Sequence, residues 1–173
     1  MLQLYIPAER IKRLKDDSES MRKVERTTKC KLSISPDIID IDGEAYGEFI
    51  AKNVLYAYGR GFDMDKAMLL CSDDYYFSVI DLGLLFGNDK RIQQVKARVI
   101  GKEGRAKRYI ESVSSAHISV YGDTIAIIGK IGEVTEAETA INSILAGGTH
   151  RVAYRRMESA HRKNSDSVKD ASF

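Results

Sequence analysis

Gly101-Lys102-Glu103-Gly104 joins two segments rich in cations, a combination suited to gripping phosphate. Lys96, Arg98, Lys102, Arg105, Lys107 and Arg108 face a single acid, Glu103, within thirteen residues. Glycine lets a sugar–phosphate backbone approach the main chain where a Cβ would intrude. Amides opening the next helix, at its positive dipole end, then favour the anion. From 13 glycines in 173 residues about one Gly-x-x-Gly is expected by chance, and a second, Gly129-Lys130-Ile131-Gly132, reads as a turn between strand and helix. The first differs in its setting: an apolar-periodic helix ends at Val99-Ile100, and a basic helix starts at Arg105. The bland alternative is a solvated helix face.

Other chemistry finds less support. Asp73, Asp74 and Asp81 form an acidic run that a two-metal nuclease would need, but they read more simply as a loop or cap before a strand. His117 opens a strand opposite in parity to Ile118 and Val120, and reads as a base-contacting group or a plain surface histidine. Arg151, Arg155, Arg156, Arg162 and Lys163 form a second basic cluster, either an extension of the footprint or a solubilising tail. The chain carries no Ser/His/Asp, Cys/His or Walker-type constellation. The expectation is a protein that is not an enzyme and uses no metal or cofactor.

The elements that must hold the loop can be read along the chain. Leu2 to Ile6 reads as a strand, followed by a helix through Ile11 and Leu14 and a second helix with Ser20 as its cap. Lys31 to Ser35 and Ile38 to Asp42 pair around Pro36-Asp37, and Glu44 to Tyr58 is an amphipathic helix. Asp63 caps a connecting helix through Leu70. Tyr75 to Leu82 is a strand, Gly83 to Arg91 an insert, and Ile92 to Ile100 the helix before the loop. Ala106 to Val113 follows it, then a hairpin of His117–Tyr121 and Thr124–Ile128 around Gly122-Asp123, then a helix from Glu133 to Leu145. Strand, helix, Gly-x-x-Gly, helix, strand, strand, helix is the order of a type I KH domain, a clamp for single-stranded nucleic acid. Type II KH proteins place the helical pair after the hairpin and do not fit.

A shift of 86 residues aligns the two halves without gaps over some fifty positions. Glu25 falls on Glu111, Ser33 on Ser119, Asp37 on Asp123, Gly43 on Gly129, Ala51 on Ala137 and Gly61 on Gly147. Val24, Leu32 and Ile41 fall on Ile110, Ile118 and Ile127, as a duplicated supersecondary unit requires. The glycine loop falls on Lys15-Asp16-Asp17-Ser18, where carboxylates would repel a phosphate. The expected fold is α+β: two tandem type I KH-like units (β-α-α-β-β-α), each a three-stranded antiparallel sheet with helices on one face. A degenerate first domain spans 1–61, a connecting helix and linker 62–75, and the second, loop-bearing domain 76–148. A basic polar C-terminal tail covers 149–173, disordered from Asn164.

A net charge of +2 excludes a polycation, so any nucleic-acid footprint is a local patch. The 43% apolar and 30% charged content is that of an ordinary globular protein. Cys30 and Cys71 fit no metal spacing or disulfide framework, which suggests a reducing compartment. No apolar run has membrane-spanning length and the start lacks a signal-peptide pattern, so a cytoplasmic protein is expected.

Several further motifs stand in the same order as in a known family: Tyr58-Gly59-Arg60-Gly61-Phe62, Lys66-Ala67, Asp73-Asp74-Tyr75-Tyr76 and Val79-Ile80-Asp81-Leu82. With Val99 to Arg105 and Ile118 to Gly122, the chain up to about Arg156 resembles the archaeal counterpart of the partner-of-Nob-one family, double-KH factors of ribosome biogenesis. The resemblance implies a second KH domain that keeps the glycine loop and a first that has lost it. It implies binding near the 3′ end of small-subunit ribosomal RNA, beside the Nob-one endonuclease, and contact with the alpha subunit of translation initiation factor two. The alternative is a protein-interaction adaptor with secondary RNA binding. Ala106 stands where family members often have Thr, which touches detailed contacts rather than the grip. The candidate RNA-binding residues are Arg98, Ile100, Gly101, Lys102, Glu103, Gly104, Arg105, Lys107, Arg108 and Ile118.

Overall fold

A computed structural model describes residues 1–171, as two compact units: Met1–Phe77, and the chain from Ser78 onward. The first unit starts with β1 (Leu2–Tyr5), α1 (Ala8–Asp16) and α2 (Ser18–Thr28). It continues with β2 (Lys31–Ile34), β3 (Ile38–Asp42), α3 (Ala45–Gly59) and the single turn α4 (Met64–Ala67). Its sheet has the order β1-β3-β2, antiparallel, with Leu4 opposite Ile39 and Leu32 opposite Ile41. Alternation along these strands sends Leu4, Leu32, Ile39 and Ile41 inward, and Ile11 and Leu14 of α1, Val24 of α2 and Leu55 of α3 are buried with them. The α2 helix begins three residues earlier than expected because Asp17, not Ser20, is its cap: the Asp17 carboxylate accepts from the Ser20 amide.

The segment 62–75, expected as a connecting helix and linker, packs as part of the first unit. Arg10 is buried, and its guanidinium donates to the carbonyls of Tyr58 and Phe62. Asp63 caps α4 through the Lys66 amide, and Met64, Ala67 and Leu70 are buried.

The second unit begins within β4 (Tyr76–Asp81) and contains the short α5 (Leu82–Leu85), α6 (Asp89–Ile100), α7 (Arg105–Ser114), β5 (His117–Tyr121) and β6 (Thr124–Gly129). α8 (Ile131–Leu145) and α9 (His150–Asp170) complete it. Its sheet order is β4-β6-β5, with Ile118 opposite Ile127 and the hairpin closing at Gly122-Asp123. The core joins Val95 and Val99 of α6, Ile110 of α7, Ile125 and Ile127 of β6, and Ile141 and Ile144 of α8. The insert of 83–91 contains α5, capped by Asp81, and the Asn88 cap of α6.

The largest departure from expectation is at the C-terminus. The stretch expected as a polar tail, disordered from Asn164, is the helix α9 as far as Asp170; the last two residues of that expectation lie outside the described residues. Ala153 and Met157, four apart, are fully buried in the second unit's core. Glu136 of α8, itself buried, accepts hydrogen bonds from His161 (2.9 Å) and Asn164 (2.8 Å), which fixes the distal half of α9. Two apolar anchors and one polar clasp order a helix whose other faces are charged.

The 86-residue shift reappears in three dimensions. Glu25 Oε1 accepts from the Leu32 amide at 2.8 Å, and Glu111 Oε1 accepts from the Ile118 amide at 2.8 Å. The hydroxyls of Thr28 and Ser114 bond the carbonyls of Val24 and Ile110. Lys29 and Ser115 end their helices in the left-handed conformation, at φ 58° and 64°. Each pair is separated by the repeat length, so the units share polar fastenings as well as an apolar pattern. Among the described residues, no helix is long and apolar enough to cross a membrane.

Candidate nucleic-acid interface

The glycine loop leaves α6 where Gly101 takes φ 75° and ψ 173°, a conformation that only glycine adopts readily. A Cβ on Gly101 would also stand 2.6 Å from the Ala106 Cβ and 2.7 Å from the Ala106 nitrogen. Glycine here is therefore an internal packing requirement, beyond the close approach of a ligand. Lys102 to Gly104 form one tight turn, with Glu103 at φ 55° and Gly104 at φ 73°. The chain then enters α7, whose first-turn amides and dipole point back at the turn. Left-handed residues before a helix start gather N–H groups into an anion-binding concavity.

The structure sorts the expected contact residues. Lys102, Arg105 and Arg108 are exposed around the turn. Arg105 lies 3.3 Å from Glu103, an exposed pair worth little to stability. Lys107 is half-buried and ion-paired to Glu111 at 3.3 Å, the same carboxylate that fastens β5. Arg98 is half-buried and turned inward: it donates to the Ile144 carbonyl at 3.2 Å and to the Gly148 carbonyl, closing the end of α8. Ile100 is half-buried at the end of α6, and Ile118 is 3% exposed within the core. The Ile118 side chain is unavailable to a ligand because strand alternation turns it towards Ile110 and Ile127. His117 is half-buried at the start of the edge strand β5. Two acids of the run serve structure: Asp73 accepts from the Tyr46 hydroxyl at 2.8 Å, and Asp81 caps α5. No group of three or more potential metal ligands occurs among the described residues.

At the equivalent place in the first unit, α1 runs through Asp16 and a single residue, Asp17, separates it from α2. Asp17 has φ −108°, outside the left-handed region. Hydrogen bonds from Ser20 hold its carboxyl below the ordinary carboxylate range, so a fixed negative charge sits where the other unit offers amides. Such a turn repels phosphate.

Sequence reasoning missed what stands behind the loop. The α9 N-terminus is fastened to the end of α6: His150 Nε2 lies 2.7 Å from the Arg98 carbonyl, while the Arg98 side chain reaches Gly148. The Tyr109 ring of α7 packs on Tyr154 of α9 at 4.4 Å, and its hydroxyl donates to Glu158. A polar stretch whose few apolar residues sit four apart was the available signal.

The chain has identifiable relatives. A family model described as a eukaryotic-type KH domain (KH-domain type I), drawn from the second such domain of Pno1, matches residues 76–162. A KH domain-containing protein of Methanocaldococcus jannaschii is 36% identical over 167 residues, covering 92% of this chain and 74% of that protein. The pre-rRNA-processing protein pno1 of Aspergillus fumigatus is 32% identical over 95 residues, covering 53% of this chain and 37% of that longer protein. Among solved structures, a chain of the a/eIF2alpha–aDim2p–rRNA complex from Pyrococcus horikoshii superposes with a TM-score of 0.82 at 30% identity, over 94% of each chain.

Proposed function

This chain belongs to the archaeal branch of the Pno1/Dim2 family, RNA-binding factors of ribosome biogenesis rather than enzymes, and from that premise we propose that its second unit clamps the 3′ region of small-subunit ribosomal RNA. The observation that carries this reading is the turn at Gly101–Gly104: left-handed glycines before a helix N-terminus, ringed by exposed Lys102, Arg105 and Arg108. Loops of this form hold about four nucleotides by the backbone, leaving the bases free to be read along the adjoining surface. The half-buried Ile100 and Lys107 lie beside that path, and Glu103 shapes the turn.

The partners follow the same reading. The P. horikoshii relative is found with ribosomal RNA and a/eIF2alpha, and this chain takes single-stranded RNA and the alpha subunit of initiation factor two as partners. The Nob-one endonuclease, which would act beside the bound 3′ end, is the third. A second reading, of the first unit as a protein-docking module, is favoured by the fixed charge at Asp17 in place of a phosphate grip. The deciding experiment is RNA binding by the variant carrying Lys102→Asp and Glu103→Asp: strong loss supports the clamp, and unchanged affinity with an intact fold refutes it. Pull-down by residues 1–77 of the initiation-factor subunit tests the docking role.

A further inference from the structure

The clamp accounts for α6, α7 and the loop, and leaves the outer face of α9 unused. Arg151, Arg155, Glu158 and Arg162 stand at positions i, i+4, i+7 and i+11 of that helix, which places them on one stripe. Arg151, Tyr154, Arg155 and Glu158 line a shallow depression of about 430 Å³. Both arginines are exposed, and neither has an ion pair among the described residues. Glu158 is the one carboxylate of the depression, and it already accepts the Tyr109 hydroxyl. The floor is aromatic: Tyr154 is half-buried between Tyr109 at 4.4 Å and the stacked His150 ring at 5.9 Å.

This depression adjoins the clamp by construction. Arg105 and Tyr109 are four residues apart on α7 and share a face, and Tyr109 abuts Tyr154. From Gly104 to Tyr109 the helix advances only about 7 Å. At its other end, the His150–Arg98 contact holds the start of α9 against the last turn before Gly101. Cations beside an aromatic surface, continuous with a phosphate-binding turn, are the two components of a sequence-tolerant single-strand platform.

We infer that the Arg151–Tyr154–Arg155 surface of α9 is a second nucleotide subsite, holding RNA that flanks the nucleotides gripped at Gly101–Gly104. The inference rests on the clamp reading and extends it. Arg151 and Arg155 neutralise phosphates, the exposed edge of the Tyr154 ring gives a base an apolar contact, and the footprint becomes longer than a lone KH unit takes.

The test compares RNAs of about four and about eight nucleotides from the 3′ end of small-subunit ribosomal RNA, the longer containing the shorter. The full chain is assayed as wild type, as Arg151→Gln with Arg155→Gln, and as Lys102→Asp with Glu103→Asp. The wild type gains affinity with length, and the arginine variant loses that gain, by about ten-fold, while binding the short RNA as before. Its salt dependence on the long RNA is shallower by about 1.4 in logarithmic slope, two single-strand phosphate contacts. Long-RNA affinity equal to wild type overturns the subsite, and so does an equal loss on both lengths, which indicates a general field rather than a flanking contact. The loop variant separates the two claims: if it weakens neither RNA, the clamp reading fails on its own arm. Both arginines are exposed, so the variant keeps its fold, verified by an unchanged unfolding midpoint.

Discussion

Replacing Lys102 and Glu103 together by Asp changes the charge of the turn by two units without touching the core. Both side chains are exposed, and position 103 sits at φ 55°, where Asp is better tolerated than Glu. Stability should therefore stay within about 0.5 kcal/mol of wild type. The glycines, the Ala106 contact and the α7 amides all remain. Under the clamp reading, binding changes because an attraction becomes a repulsion beside the bound phosphate. A unit pair at 4 Å is worth about 1 kcal/mol in bulk water and about 4 kcal/mol at the effective dielectric of a protein surface. Asp is shorter than Lys and leaves room for water, so the net penalty falls near 1–3 kcal/mol, roughly five- to 150-fold in affinity. Fluorescence anisotropy of a labelled 3′-terminal ribosomal RNA at several salt concentrations reads both the affinity and the slope, which should fall by about 0.7 for a lost single-strand contact. Unchanged affinity and slope in a folded variant would refute the argument, because no phosphate could then lie at the turn.

Other perturbations separate framework from contact. Gly101→Ala meets the Ala106 backbone at a left-handed φ and should cost more than about 2 kcal/mol, whereas Gly104→Ala, with only the mobile Arg108 tip within reach, should cost about 1 kcal/mol; equal urea midpoints would contradict the packing argument. Arg98→Met removes charged hydrogen bonds to Ile144 and Gly148, so it should lose about 1.5–3 kcal/mol of stability yet leave the salt slope of RNA binding as in wild type. A shallower slope would show that Arg98 touches phosphate after all. Glu136→Ala strips His161 and Asn164 of their acceptor, and faster amide exchange confined to the distal half of α9 is the expected result, with uniform protection the contrary one.

The glycine loop and the repeat were legible because they are local or periodic. The turn needs particular residues at particular φ, and the duplication writes one apolar pattern twice. Asp63 and the Gly122 hairpin also stood where turn chemistry puts them. What sequence could not disclose was the destination of individual side chains. Arg98 reads like its basic neighbours, yet bonds carbonyls some fifty residues away, and Ile118 reads as a groove residue until strand parity buries it. The α9 helix was hidden for a related reason. Its order comes from Ala153 and Met157 meeting partners on distant elements and from a clasp at Glu136, none of which raises local helix propensity. Ser20 and Asp17 both suit a helix start, and the structure uses the earlier one.

The placement of Ala153 and Met157 in the second core also governs the order of events during synthesis. The first unit has all its core residues once the chain has grown past Phe77, and it can fold while the remainder is still being made. The second cannot: its glycine turn is complete by Gly104, but the core behind it stays open until the codons for α9 have been read. A polypeptide released between those points would display the Gly101–Gly104 turn without the packing that holds it in shape. The packing behind the proposed RNA grip is thus completed last, by the helix that closes the second core.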